Sequence, residues 1–296
     1  MNYGLKNMPR VLYLGVFKHG SAGIYRSDAI ERSDCKVERY PYRERQEEVG
    51  AAERDKEIVK LSVDKDIVIF PKCYEVDSSV VSRCKENGAT TVFFHMDPLK
   101  SSLKGEIAKK LGVCDLSFFS INEVFDWATT IRRDNVFLIN EGFDPLIDFP
   151  VDVPFVRDVG FIGNIRWHRE KYHQAINFDV IQNAYGHDHA IEVCKTKINL
   201  NFTHGGTSDR TYKILAAGGF LLTEPWNRMP FKKMKHLDVF TSVEELRSKI
   251  EYWIEHEDER MKIAAKGMEE VQKFSWDTWA AKILTKVAEL WHERGK

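Results

Sequence analysis

No apolar run in the sequence approaches the ~20 residues needed to cross a bilayer, which argues against a helical membrane span. Met1 to Arg10 is polar and lacks the charged-then-apolar shape of a secretory signal, so a cytoplasmic location is the expectation. There is no Cys-x-x-Cys pair. Five cysteines (Cys35, Cys73, Cys84, Cys114 and Cys194) are scattered and odd in number, which argues against a disulfide framework and a thiolate zinc site. Charge of either sign is nearly absent in sum. With 44 Lys and Arg against 45 Asp and Glu, the net charge of -1 gives no global attraction to nucleic acid or anionic lipid, although a local basic groove stays compatible with it. No low-complexity segment occurs. What is present is the composition of a globular protein, 43% hydrophobic and 30% charged, over 296 residues, enough for two cores.

Short apolar runs alternate with helical patterns. Strands are expected at Val11 to Phe17, Cys35 to Tyr40, Asp66 to Phe70, Thr90 to His95, Cys114 to Phe119 and Asn135 to Asn140. Helices are expected between them, from Ile24 to Arg32, Gln46 to Leu61, Ser78 to Asn87, residues 101–111 and Asn122 to Arg132. That alternation predicts a doubly wound α/β domain. From Glu141 to Pro154 the pattern is punctuated by Pro145, Pro150 and Pro154, which resist both helix and central strand, so the domain boundary is placed at 150/151. A second alternation follows: Val156 to Ile165, a helix from about His168, the strand Phe178 to Ile181, and a short strand at Val239-Phe240. Helices are then expected over Val243 to Glu255, Asp258 to Lys273 and Asp277 to Glu293. The last carries Trp276, Trp279, Ile283, Leu284, Val287, Leu290 and Trp291, too apolar for solvent; it must pack back on the first domain or form a dimer contact.

The stretch Lys195 to Glu224 is the most informative. Ile198, Leu200 and Phe202 alternate as a strand, His204-Gly-Gly206 breaks the pattern, and Thr207-Ser-Asp209 precedes the helical Tyr212, Ile214, Leu215 and Ala216. Gly218-Gly219 ends that helix and Phe220 to Thr223 is a second strand. A glycine loop feeding a helix N-terminus at the carboxyl edge of a parallel sheet suits a phosphate, because free N–H groups and the helix dipole meet there. An unliganded structural βαβ unit has the same pattern.

Arg210 to Glu224 resembles the signature of GT-B glycosyltransferases of the spore-maturation, CgeB-like group (glycosyl transferases group 1). Asp158-Val-Gly-Phe-Ile-Gly-Asn164 with Arg166 and Arg169 looks like the opening strand of their second domain, and Val243 through Gly267 resembles their C-terminal helices. The resemblance implies two Rossmann-like domains, 1–150 and 151–275, facing a cleft, with the helix 276–296 packing back. It also implies sugar transfer from a nucleotide-sugar such as a UDP-sugar, with no bound metal or other cofactor. Carried over by position, Gly163, Arg166 or Arg169, His204, Gly205, Gly206, the N–H groups near Thr207 and Ser208, and Arg210 would face the donor diphosphate. Where related enzymes carry a glutamate for ribose or sugar hydroxyls, this chain has Lys213, a cation that accepts no hydrogen bond; Glu224 could substitute.

Without a metal, the departing diphosphate must be stabilised by arginines and a helix N-terminus. A base for the acceptor hydroxyl is sought at strand ends, where Asp97, His95 and His19 are the candidates. A turn role for Asp97 or a core role for His95 would explain them equally, and a retaining enzyme would need none of the three. Asp64-Lys-Asp66 imitates a metal-binding Asp-x-Asp, yet precedes its strand and reads as a cap; His187-Asp-His189 reads as a solvated loop. The acceptor is a glycan, a small molecule or a hydroxymethylated DNA base of the phage type. Arg39 to Arg45 and Phe231 to Lys235, which mix cations with aromatics, are the stretches that would suit DNA, although each also reads as a solvated loop. The competing readings are a non-catalytic nucleotide- or sugar-binding module and an epimerase or phosphorylase of the same architecture; monomer and homodimer are both open.

Overall fold

Two wholly parallel sheets organise the computed structural model, which describes residues 8–203, 206 and 208–295. The first is built from β1 (Arg10–Gly15), α1 (Ala22–Arg32), β2 (Lys36–Pro41), α2 (Tyr42–Val49), α3 (Ala51–Ser62), β3 (Ile67–Pro71), α4 (Ser78–Glu86), β4 (Thr90–His95), α5 (Lys104–Val113), β5 (Leu116–Phe119), α6 (Asn122–Ile131) and β6 (Val136–Leu138). The second comprises β7 (Arg157–Ile162), α7 (Glu170–Ala175), β8 (Asp179–Ile181), α8 (His187–Cys194), β9 (Thr196–Asn201), α9 (Asp209–Ala216), β10 (Leu221–Thr223), β11 (Asp238–Val239), α10 (Val243–Glu255) and α11 (Glu257–Val271). A last helix, α12 (Trp276–Glu293), closes the chain.

Strand order is β2-β1-β3-β4-β5-β6 in one sheet and β11-β10-β9-β7-β8 in the other. Both sequences reverse once, between β1 and β3 and between β7 and β9. Loops leaving those strand pairs diverge to opposite faces and open a crevice at the carboxyl edge, the usual ligand position of such sheets. Every residue of β3 and β4 is buried, as expected for strands covered on both faces.

The chain divides into two units, Met1–Asn140 with Trp276–Lys296 and Glu141–Ser275. The sequence pattern placed the boundary at 150/151, within the proline-punctuated stretch. The segment before Pro150 is instead held in the second unit. Phe143 is buried and bridges Ser275, the Asp148 N–H donates to the Asp144 carbonyl (2.8 Å), and His187 Nδ1 lies 3.0 Å from the Ile147 carbonyl. In the first unit α12 packs on α1. Arg32 pairs with Asp277, the Trp291 indole donates to Thr90 Oγ1 (2.6 Å), and Arg294 reaches the buried Asp115 at 2.7 Å.

Two elements depart from expectation. The helix foreseen over Gln46 to Leu61 is two, α2 and α3, because Gly50 takes φ 82° and ψ 162°, outside helical space. Val49 is consequently exposed, whereas Ile58 and Val59 are buried. His187-Asp-His189, expected to be a solvated loop, is the first turn of α8. Ala190 and Val193 of that helix join the core, and His189 is drawn inside with them. At Asp64-Lys-Asp66 the Asp66 carboxylate accepts the Arg10 N–H (2.7 Å), which satisfies the first donor of β1 at the amino edge of the sheet. Among the described residues no helix is long and apolar enough to cross a membrane.

Candidate functional site

At the carboxyl end of β7 the chain turns on Gly163, whose φ of 146° lies in the region that favours glycine. A Cβ there would sit 3.0 Å from Arg210 Nη2 and 3.1 Å from the Phe161 ring. That absence lets two guanidinium groups converge on one aromatic ring. Arg210, from the first turn of α9, lies 5.0 Å from the Phe161 centroid, and Arg169 lies 5.3 Å from it. Burial, set against the attraction of Asp209 and reinforced by the neighbouring Arg169 charge, lowers the Arg210 pKa to about 10. Burial also lowers that of Arg169, against the pull of Glu224. Two cations held together in a partly desolvated corner favour an anion there.

Asn201, at the end of β9 and fully buried, aims Arg210. Its amide nitrogen donates to Thr211 Oγ1 (3.0 Å), which leaves the amide oxygen to accept from Arg210 Nη1 (3.1 Å). Arg169 is fixed by donating to the Asn164 carbonyl (3.0 Å). Ser208 is the N-cap residue of α9, but its hydroxyl makes no cap bond and has no partner among the described residues. The end of α9 is as expected. Gly218 takes φ 76°, and the Gly219 N–H returns to the Ile214 carbonyl at 2.9 Å.

Beside this corner a pocket of about 350 Å³ is lined by His168, Lys171, Thr203, Glu224, Pro225, Phe240 and Thr241. Glu224, just after β10, is set rigidly in its wall. One oxygen accepts from the Tyr172 hydroxyl and the other from the Thr203 N–H, each at 3.0 Å, and His168 Nε2 stands 3.4 Å from the second. Burial and that carboxylate push the Tyr172 phenol up to about 12.

The structure sorts the expected donor residues. Gly163, Arg169 and Arg210 meet at the β7/β9 reversal; Ser208 is the N-cap of the helix that carries Arg210, and the Gly206 N–H donates to the Thr203 carbonyl at 3.0 Å. Glu224 lines the pocket. Arg166 is exposed at the start of the turn, so Arg169 is the member of that pair that enters the corner. His204, Gly205 and Thr207 lie outside the described residues. Lys213 is not in the pocket lining; it is buried on α9 and pairs with Asp209 at 2.9 Å. Its surroundings include the buried Asp148 and His189, whose ring burial and the Lys213 and Arg210 charges bring down to about 3. Sequence reasoning missed Phe161, Asn201, His168, Tyr172 and Thr203. None of them broke the local pattern: Asn201 stands at a polar position of the strand in which Ile198, Leu200 and Phe202 alternate, and only the fold buries it.

In the first unit, Asp97 and His95 do come together. Asp97 Oδ1 accepts from Lys72 Nζ (2.7 Å) and Oδ2 from the Tyr74 hydroxyl (3.0 Å). Burial raises the Asp97 pKa, but Lys72 and Tyr74 outweigh it and hold the carboxylate below its ordinary range. His95 is fully buried, and burial lowers it to about 4. His19 sits on the exposed turn between β1 and α1. Among the described residues no group of three or more His, Cys, Asp or Glu is placed to hold a metal ion.

Two results are expected from this geometry. Gly163→Ala strains the turn and displaces Arg210, which should cost about 1–3 kcal/mol of stability in thermal melts. Asp148, 3% exposed, has its carboxyl raised by burial to about 6, against the opposing Lys213 charge. The folded state therefore binds more protons than the unfolded one between about pH 4 and 6, and stability falls as pH rises through that window. Asp148→Asn should flatten this slope and raise stability at pH 7.5 by about 1–3 kcal/mol, read from urea titrations at about pH 4 and at about pH 7.5.

Taken together, the two parallel α/β units are Rossmann-like domains, and their fold is that of GT-B structures. Residues 152–285 match the family described as "Glycosyl transferase-like". Two similar solved structures are Anabaena HepE in complex with UDP-glucose and a Listeria monocytogenes protein assigned as a UDP-N-acetylglucosamine 2-epimerase. HepE is 11% identical with a TM-score of 0.70, covering 96% of this chain and 100% of its own. The Listeria protein is 10% identical with a TM-score of 0.58, covering 98% of each chain. A search of the curated proteins finds no match to the sequence.

Proposed function

We propose that the protein is a glycosyltransferase that moves a sugar from a nucleotide-sugar such as a UDP-sugar to a hydroxyl acceptor, in the manner of the CgeB-like group. The observation that carries this reading is the pair of partly buried guanidinium groups, Arg169 and Arg210, converging on Phe161 beside the N-terminus of α9. They stand where a diphosphate needs neutralising as it departs, and they supply without a metal the charge a cation would otherwise provide. The family match over the second unit and the fold shared with HepE, solved with UDP-glucose, support it. The nucleoside lies in the adjoining pocket, where Glu224 accepts from sugar hydroxyls in place of the glutamate whose position Lys213 occupies.

Asp97 of the first unit takes the acceptor proton, which makes the transfer inverting. A glycan or small-molecule hydroxyl is the favoured acceptor over DNA. Arg39 is paired with Asp28 and Glu31, Arg43 with Glu75, and Arg45 with Glu48 and Glu57, so the first basic stretch is neutralised by the protein's own carboxylates. The second, Lys232 to Lys235, is exposed but short. A cytoplasmic enzyme needing no cofactor follows from the same reading.

The test is a thermal-shift screen of nucleotide-sugars followed by assay of nucleotide release. A true donor at a hundred-fold excess over Kd should add about 2.7 kcal/mol. Stabilisation by no nucleotide-sugar overturns the proposal. Stabilisation without release, with or without acceptors, would define a binding module instead.

A further inference from the structure

The residues around Asp97 form a ring of polar contacts whose protons can be assigned. His95 Nε2 lies 2.8 Å from the backbone carbonyl of Asp97. A carbonyl only accepts, so Nε2 carries a proton. His95 is neutral when buried, and its other nitrogen, Nδ1, is then an acceptor; it faces the Tyr74 hydroxyl at 3.2 Å. Tyr74 has one proton and two acceptors, Asp97 Oδ2 at 3.0 Å and His95 Nδ1. Only one can receive it at a time.

The loop is shaped to bring these groups together. Lys72 (φ 60°) and Cys73 (φ 43°) are successive non-glycine residues in the left-handed region. Such a conformation persists only where surrounding contacts enforce it. Here the Lys72 N–H is pinned to the Phe94 carbonyl (2.8 Å), and Cys73 is fully buried. The Tyr74 ring then packs edge-on to His95 at 5.7 Å, with Phe93 and Phe119 on the imidazole's other sides.

We propose that Lys72 and Tyr74 are positioning residues for Asp97, and that the Tyr74 hydroxyl turns from Asp97 to His95 Nδ1 when Asp97 takes up the acceptor's proton. The inference rests on the reading of Asp97 as base. In the step, the acceptor O–H bond breaks and an O–H bond forms on Asp97. The acceptor oxygen bonds the anomeric carbon, and the bond from that carbon to the diphosphate breaks, its electron pair leaving with the nucleoside diphosphate. Tyr74 and His95 neither gain nor lose a proton. Before the step, Lys72 and Tyr74 hold Asp97 ionised. After it, Tyr74 has an acceptor waiting, so no buried hydrogen bond is lost as Asp97 becomes neutral. The charged and titratable groups facing Asp97 are Lys72, Tyr74 and His95; Tyr74 also faces Tyr42 and Glu75.

The experiment is the pH profile of kcat with a nucleotide-sugar and acceptor, for wild type, Asp97→Asn, Lys72→Met, Lys72→Arg and Tyr74→Phe, with donor Kd measured by calorimetry. Asp97→Asn should lose on the order of a hundred-fold or more in kcat. Lys72→Met and Tyr74→Phe should each lose about ten-fold and move the acid limb upward, because a donor to the carboxylate is gone. Lys72→Arg should restore the limb, and donor Kd should be unchanged throughout. The ¹⁵N shifts of His95 should show the Nε2–H tautomer at neutral pH. If wild type transfers and Asp97→Asn does not, but Lys72→Met and Tyr74→Phe keep the wild-type profile, the positioning role is wrong and the transferase reading stands. An active Asp97→Asn, or a proton on His95 Nδ1, overturns the inference. No transfer by wild type to any acceptor overturns it together with the proposed function.

Discussion

Replacing Arg169 and Arg210 together by glutamine should weaken binding of a UDP-sugar about a thousand-fold. Charge-assisted hydrogen bonds contribute about 1.5–3 kcal/mol each, and both guanidinium groups converge on Phe161, where the proposed function puts the diphosphate. The single replacements should lose less than half of the total free energy each. Removing one cation frees the other from the repulsion that lowers the pKa of Arg210. Arg166→Gln, at the exposed position, should change Kd by less than about five-fold, in keeping with the small worth of a solvent-screened charge. Calorimetric titration of the four variants with UDP-glucose checks the pattern. Equal losses from Arg166 and Arg210 would mean that the anion sits elsewhere.

A chain ending at Ser275 should fail to fold its first unit. The lost helix buries Trp276, Trp279, Ile283, Leu284, Val287 and Leu290, all no more than 6% exposed. At about 1.5–3 kcal/mol for each buried side chain, their removal forfeits about 9–18 kcal/mol, against the 5–15 kcal/mol that typically holds a whole domain. It also strips the indole from the buried Arg26, which lies 4.7 Å from the Trp276 ring. Labelling by a thiol reagent reads this out directly. Cys35, Cys73, Cys84 and Cys114 are buried in that unit and should react slowly in the full chain and quickly in the shortened one. If they remain protected, the helix is an accessory and not part of the core.

These two expectations draw on different levels of information. The doubly wound architecture was legible because β3 is an unbroken apolar run, because β4 carries Val92-Phe93-Phe94 at its centre, and because Gly218 stops α9 in the left-handed region that glycine adopts readily. Gly163 and Arg210 were also legible, since a glycine after a strand and a cation in a helix's first turn are local patterns. Lys213 was not, because its neighbour Asp209 is one turn away but Asp148 comes from a segment more than sixty residues earlier. Nor was Tyr74: nothing in its sequence neighbourhood says that β4 will deliver both His95 and Asp97 to it.

By itself the sequence determined the periodicities, the turns and the kinds of charge available at each strand end, since these depend on backbone sterics and on side chains a few residues apart. Only the tertiary structure decided which charges meet. It turned Arg169 inward and left Arg166 in solvent, brought Asp148 near Lys213, and enclosed His189 in a core. The reason is physical: burial and pairing energies depend on distances across the fold, which the spacing of residues along a chain does not contain.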